Sequence, residues 1–155
     1  MESEANKPQN EEAVRLANKY PDIVKILAVG NESMVKWAEE YYVQPGVILK
    51  WVNYLQDLKK SGGLSRDLWI TSSDNFASWG GEGAEYHVED LNKLYHAVDY
   101  VSMHTYPFLH SHYNPDYWGI LPGEEDLSDE EKIESAMKRA QEFAVSQYES
   151  VRAYM

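Results

Sequence analysis

The chain has 155 residues, a length typical of one domain, and 43% of them are hydrophobic, which favours a globular fold over a disordered one. Its 14 basic and 26 acidic residues give a net charge of −12, which repels phosphate backbones and anionic headgroups, so we expect neither nucleic acid nor membrane as a partner. Cysteine is absent, which excludes disulfides, thiolate nucleophiles and sulfur-ligated metals. No targeting signal is recognisable, so the compartment is unknown.

The first predicted elements are a helix and a strand. Residues 1–9 read as a loose leader, and a helix is predicted from Asn10 to Tyr20, where Pro21 ends it by disfavouring the helical conformation of the residue before it. The run from Ile23 to Gly30 is almost continuously apolar. Such a run is typical of a strand that is covered on both faces in a parallel sheet.

Two helices are predicted after this strand. The first runs from Met34 to Tyr42, and the second begins at Pro45, which suits the first position of a helix. Apolar residues recur along one face of the second helix, and Ser61-Gly62-Gly63 is a typical C-cap. A parallel sheet requires helical crossovers of this kind.

The rest of the chain continues the alternation of strands and helices. In order, we predict a strand from Asp67 to Ser73, a helix from Val88 to Ala97, a strand from Asp99 to Thr105, a loop from Phe108 to Asp126, and a long amphipathic helix that Ser128 and Glu131 begin with a capping box. This order predicts one α/β domain over residues 1–155, with three parallel strands joined by right-handed crossovers.

Polar and bulky residues collect where the three predicted strands end. They are Asn31-Glu32, Ser73-Asp74-Asn75 and His104-Thr105-Tyr106. In barrels and in doubly wound sheets, the carboxyl ends of parallel strands carry the active site. A carboxylate at the end of a buried strand is costly unless it is used, so Glu32 is the leading catalytic candidate.

The segments "LANKYPDIV", "AVGNE" and "SMHTYPF" together resemble the glycoside hydrolase family 17 proteins, a β-1,3-glucanase-like branch of the (β/α)₈ retaining glycosidases. The resemblance runs from Leu16 to about Phe108. It implies that Glu32 is the general acid/base, that Asn31 hydrogen-bonds the sugar 2-hydroxyl, and that Tyr106 lines the cleft. Such an acid needs its pKa raised by apolar or like-charged surroundings, and its reaction needs a second carboxylate as nucleophile.

The sequence departs from that family pattern in its number of strands. The family's nucleophile follows strand seven, whereas this chain ends in the helix after the predicted strand six, so the resemblance implies an incomplete barrel holding strands four to six. We therefore expect a central fragment, a natural truncation or otherwise, that is weak or inactive alone. Asp74, Glu82 or Glu85 is the alternative second carboxylate, although Asp74-Asn75 equally suits a turn and helix cap.

Further candidates complete the predicted sugar site. The expected substrate-binding residues are Asn31, Asp74, Asn75, Trp79, His104 and Tyr106. Trp79 suits a sugar platform or the small core of its own loop, and His104 suits a hydrogen bond to a carboxylate or a sugar. Glu32 has an alternative role at the start of a helix. No cofactor or metal is expected, and the alternative is a metal hydrolase with His104, His110 and His112 as ligands.

The predicted partner is a β-glucan or an oligosaccharide. A non-catalytic carbohydrate-binding or interaction remnant is the alternative function. Because a three-stranded sheet has two unpaired edges, we also expect self-association through them. Linkage, substrate length, and hydrolysis as against transglycosylation are left open by the sequence.

Overall fold

The computed structural model describes residues 6–107 and 119–155. The elements are α1 (Asn6–Lys19), β1 (Ile26–Asn31), α2 (Pro45–Ser61), β2 (Trp69–Asn75), a π turn (Ala77–Gly81), a 3₁₀ turn (Ala84–Tyr86), α3 (Glu89–Ala97), β3 (Ser102–His104) and α4 (Asp129–Tyr154). This alternation confirms the predicted α/β class. Most of the predicted loop from Phe108, including His110 and His112, lies outside the described residues.

The caps that were predicted for α2 and α4 are present. Pro45 opens α2, and Gly62 ends it in the left-handed conformation, with a φ of 84°. At the start of α4, the Ser128 side chain accepts the Glu131 N–H, and the Glu131 side chain accepts the Ser128 N–H. In the described parts of the chain, no helix has the length and apolar character needed to cross a membrane.

The predicted helix from Met34 to Tyr42 is wrong, because this segment forms consecutive turns. Two of its backbone N–H groups donate to side chains that are distant in the sequence. The Met34 N–H donates to the Asp74 carboxyl, and the Lys36 N–H donates to the Tyr86 hydroxyl. The loose leader is corrected too, because α1 already begins at Asn6. Pro8 lies in its first turn, where a missing N–H costs little.

The three strands form an open parallel sheet in the order β1-β2-β3. Ala28 pairs with Thr71, whereas Asn31 pairs with Ser73. Over this interval β1 has one residue more than β2, so β1 contains a bulge. At the carboxyl ends of β2 and β3, Asn75 pairs with His104. The carboxyl ends of all three strands therefore meet at one edge of the sheet.

The main core lies between the sheet and the helices. It is formed by Ala17, Val29, Met34, Ile48, Val52, Leu55, Leu64, Leu68, Ile70, Trp79, Leu91, Leu94 and Val151. The expectation that β1 is covered on both faces is wrong: Val29 is buried, but Ile26 is 47% exposed, and its register partner Trp69 is 54% exposed. Residues 26–30 of the strand carry no polar side chain, yet Val29 alone among them is buried.

Asp99 lies between α3 and β3, at the end of the second crossover, and it binds the amino end of β2, opposite the end of the sheet that carries Glu32. Its carboxyl accepts the Ile70 N–H at 2.7 Å and the Lys59 ammonium at 2.7 Å. Partial burial by itself raises the pKa of this carboxyl, but the hydrogen bonds from Lys59, Ile70 and Gln56 together lower the pKa below its ordinary value of 3.8. The ionised form of Asp99 thus stabilises the fold.

We predict that Asp99→Asn removes a pH-dependent part of the stability. Because the pKa is lowered in the folded state, this contribution is present above the unfolded pKa and is lost as the pH falls through the folded pKa. Urea unfolding at several pH values should therefore give a parent-minus-variant difference that is largest near neutral pH and shrinks below about pH 4. A difference that is independent of pH would contradict this role.

Candidate active site

Glu32 lies directly after β1 with an unusual backbone conformation. Its φ is 47°, in the left-handed region that residues other than glycine, asparagine and aspartate rarely occupy. Its N–H donates to the Ser73 carbonyl at 2.9 Å. Gly30 also has a positive φ, 83°, and a Cβ there would lie 2.4 Å from the Ser33 Oγ. The chain thus turns sharply at this strand end, and β2 holds the turn in place.

The Glu32 carboxyl points to the end of β3. Its Oε1 accepts a hydrogen bond from His104 Nδ1 at 2.9 Å. The side chains are 30% exposed for Glu32 and 21% for His104, so the pair is neither in the core nor fully solvated. This contact is one of the two that the sequence predicted for His104.

Tyr106 completes a three-residue cluster at this edge. Its hydroxyl lies 3.4 Å from His104 Nδ1, and the two rings meet edge to face at 5.9 Å. The pKa of the phenol is above its ordinary value of 10, first because of desolvation and then because of a hydrogen bond to Glu32 and the charge of that residue. We call Glu32, His104 and Tyr106 the strand-end cluster.

Asn31 lies beside the strand-end cluster as the last residue of β1. It is exposed, and its register partner is Ser73 on β2. The Ser73 hydroxyl in turn donates to the Ser102 hydroxyl at 2.8 Å, which links β2 to β3. Sequence reasoning missed Ser102 as part of this edge, and only the strand register could have placed it there.

Asp74 does not face the strand-end cluster. It is fully buried, its Oδ2 accepts the Met34 N–H at 2.8 Å, and its Oδ1 accepts the Asn75 N–H at 2.9 Å. Burial raises the pKa of this carboxyl above its ordinary value, although these hydrogen bonds partly offset the effect. We expected Asp74 to contact the substrate, but a fully buried side chain cannot do so.

The structure also corrects the expectations for Asn75 and Trp79. Asn75 is 8% exposed, and its side-chain oxygen accepts the Ala77 N–H at 2.9 Å, which is the turn-and-cap alternative. Trp79 has no exposed surface, because its ring packs on Tyr95 and its Nε1 donates to the Ser102 carbonyl at 3.1 Å. It belongs to the core, which was the alternative to a sugar platform.

Within the described residues, Glu32 forms its side-chain hydrogen bonds with His104 and Tyr106, neither of which is a carboxylate. Glu82 and Glu85 are exposed residues of the segment after the π turn, and Asp74 has no access to solvent. In the part of the chain that the structure describes, no three or more histidine, aspartate or glutamate side chains are grouped so that they could hold a metal ion. His110 and His112, the other two ligands of the metal alternative, lie outside the described residues.

The strand-end cluster has the chemistry of a proton-transfer site. A carboxyl group that is partly exposed can reach a substrate, while an imidazole and a phenol at its flank fix its direction through hydrogen bonds. Three parallel strands present this cluster at their carboxyl ends, which is where α/β enzymes carry catalytic groups. The strand-end cluster therefore contains the residue types, at the position in the fold, from which a proton-transfer site can be built.

The chain matches part of a solved structure. The chain is similar to an endo-laminarinase from Formosa Hel1_33_131, with 62% sequence identity and a TM-score of 0.94. The match covers 98% of this chain and 39% of that chain, so this chain spans about two fifths of the length of that enzyme. No protein-family model matches the chain, and no curated protein matches it. The chain is thus related to part of a glycosidase.

The left-handed backbone at Glu32 gives a test of local strain. We predict that Glu32→Gly leaves the protein about 1 kcal/mol more stable than Glu32→Ala, because only glycine adopts this conformation without a Cβ penalty. Both variants lose the carboxyl group and its bond to His104, so their difference isolates the backbone. Urea unfolding measures it.

The matched control is Glu134, an exposed residue within α4. There the order of the two variants should reverse, with glycine about 1 kcal/mol less stable than alanine. If alanine is the more stable replacement at both positions, residue 32 does not have the left-handed conformation.

Proposed function

We propose that this chain carries the acid/base part of the active site of a β-1,3-glucan hydrolase. The observation that carries the proposal is the partly exposed Glu32 carboxyl, which the ends of β1 and β3 hold against His104, in a chain that is 62% identical to part of an endo-laminarinase. Glu32 would deliver a proton to the leaving-group oxygen and then activate water.

The neighbouring residues have distinct roles in this proposal. His104 fixes the rotamer of Glu32 through its Nδ1–H, and the Tyr106 hydroxyl gives the carboxylate a second donor. Asn31 is exposed at the same strand end and binds the sugar 2-hydroxyl next to the reacting carbon. Asp74, Asn75 and Trp79 shape the sheet edge without contacting the sugar.

We further propose that β1, β2 and β3 correspond to strands four to six of an eight-stranded barrel of the glycoside hydrolase family 17 type. The sharp strand end after "AVGN", the parallel register and the His-x-Tyr end of β3 support this assignment. A retaining mechanism then requires a nucleophilic carboxylate about 5 Å from Glu32. We place that carboxylate outside this chain.

This placement predicts that the 155-residue chain alone releases no measurable reducing ends from a β-1,3-glucan. Without the nucleophile, no covalent glycosyl-enzyme intermediate can form when the leaving group is protonated. A reducing-end assay on laminarin checks this. Full-rate hydrolysis that Glu32→Gln abolishes would keep Glu32 as the acid but would refute the missing nucleophile.

The role of Glu32 is best tested in a chimera that replaces the matching segment of the Formosa endo-laminarinase with this chain. The 0.94 TM-score over 98% of the chain makes the exchange conservative. In the chimera, Glu32→Gln should lower the turnover of laminarin by about 10²- to 10⁴-fold, the usual contribution of a general acid. Turnover of an aryl β-glucoside with a good leaving group should fall far less in its first step, because that leaving group needs no proton.

The matched control is Glu39→Gln, an exposed glutamate on the segment that follows Glu32. It should leave both substrates unaffected. An equal loss on both substrates in Glu32→Gln would assign Glu32 a binding or structural role, and oligosaccharide binding without any products would favour the non-catalytic remnant.

A further inference from the structure

Asp74 is a buried carboxylate that the proposed mechanism does not use. It lies at the end of β2 on the face that packs against the core, shared with Ile70 and Ser72, and it has no exposed surface. A buried charge is costly unless hydrogen bonds satisfy it, so its partners indicate what it does. They include the backbone N–H groups of Met34 and Asn75, and the Ser33 N–H and the Ser78 hydroxyl also lower its pKa; Ser33 and Met34 belong to the turn that follows Glu32.

The two ends of the Glu32 turn are held by two successive residues of β2. The Ser73 carbonyl accepts the Glu32 N–H at 2.9 Å, and the Asp74 Oδ2 accepts the Met34 N–H at 2.8 Å. Between these two anchors, Glu32 has the left-handed φ of 47°. The backbone conformation that directs the Glu32 side chain is therefore fixed from β2, without any local helix.

This arrangement explains why the anchor is an aspartate. A carboxylate has acceptor capacity on both oxygens, and here Oδ1 takes the Asn75 N–H while Oδ2 takes the Met34 N–H. A neutral amide at this position offers one acceptor and one donor, so one of the two backbone N–H groups would face another donor. Only a carboxylate satisfies both at once.

We propose that Asp74 is a positioning residue for Glu32. Its buried carboxylate holds the Met34 N–H and so maintains the left-handed turn that aims the Glu32 carboxyl at His104. The functional consequence rests on the proposed acid/base role of Glu32, whereas the structural coupling does not. Asp74 thus acts through the backbone, without contact with the reacting atoms.

The test follows the ring signals of His104 in the ¹⁵N-labelled chain. In the parent protein, Glu32→Gln should shift these signals, because Glu32 Oε1 contacts His104 Nδ1 directly. In an Asp74→Asn background the same change should no longer shift them, because Glu32 has already turned away. A response of the parent size in Asp74→Asn would overturn the proposal.

Two controls separate positioning from general destabilisation. Asp99→Asn also removes a carboxylate that accepts a backbone N–H, but at the opposite end of the sheet, so the response to Glu32→Gln should persist there. Ser72→Ala changes a buried neighbour on the same face of β2 whose hydroxyl has no hydrogen-bond partner among the described residues. Loss of the response in all three backgrounds would contradict a specific role of Asp74.

Two further measurements keep the proposal testable if Asp74→Asn does not fold. In Asp74→Ser the side chain is too short to accept the Met34 N–H, and no amide donor is introduced. In this background too, Glu32→Gln should no longer shift the His104 ring signals. In the unmodified protein, a through-hydrogen-bond coupling should join the Met34 amide nitrogen to the Asp74 carboxyl carbon; its absence would refute the anchor. None of these readouts uses sugar or turnover, so an inactive chimera would refute the proposed function and leave this inference standing.

Discussion

The structure depends on the attachment of the end of β1 to the end of β2. Two hydrogen bonds make this attachment, one from the Glu32 N–H to the Ser73 carbonyl and one from the Met34 N–H to the Asp74 carboxyl. The first continues the sheet past its bulge, and the second stops the chain from continuing straight. Together they replace the helix that local sequence preferences would form, and they present Glu32 beside His104.

The same attachment separates the polar groups at this edge into two environments. Asp74 and Trp79 are fully buried, and their polar atoms bind backbone groups. The strand-end cluster keeps part of its surface in contact with solvent, with Tyr106 41% exposed. A carboxylate that must exchange a proton needs this second environment, whereas one that only holds a loop is best kept away from competing water. The edge therefore contains two acidic side chains in different environments, one buried and one partly exposed.

The sequence predicted those features that neighbouring residues determine. Pro45, Gly62 and the Ser128–Glu131 capping box act within a few residues, and the helices that they bound lie where the pattern indicates. The sequence also placed Glu32 and His104 at the ends of parallel strands, and the two side chains do lie in contact there. Asp74 and Trp79 were misassigned because the face of a sheet on which a side chain lies depends on register and packing. The segment after Glu32 was misassigned because its N–H acceptors are 40 and 50 residues away in the chain.

The left-handed conformation of Glu32 has an energetic cost that its surroundings must offset. For a residue with a Cβ, this conformation costs roughly 1 kcal/mol or more, and a glycine would avoid that cost. The contacts that maintain it come from Ser73 and Asp74 through the backbone, so the glutamate side chain is not needed to form the turn. What the side chain adds is a carboxyl group placed at His104 and Tyr106. One buried carboxyl group thus holds a strained turn, and that turn directs a second carboxyl group toward His104 at the open edge of the sheet.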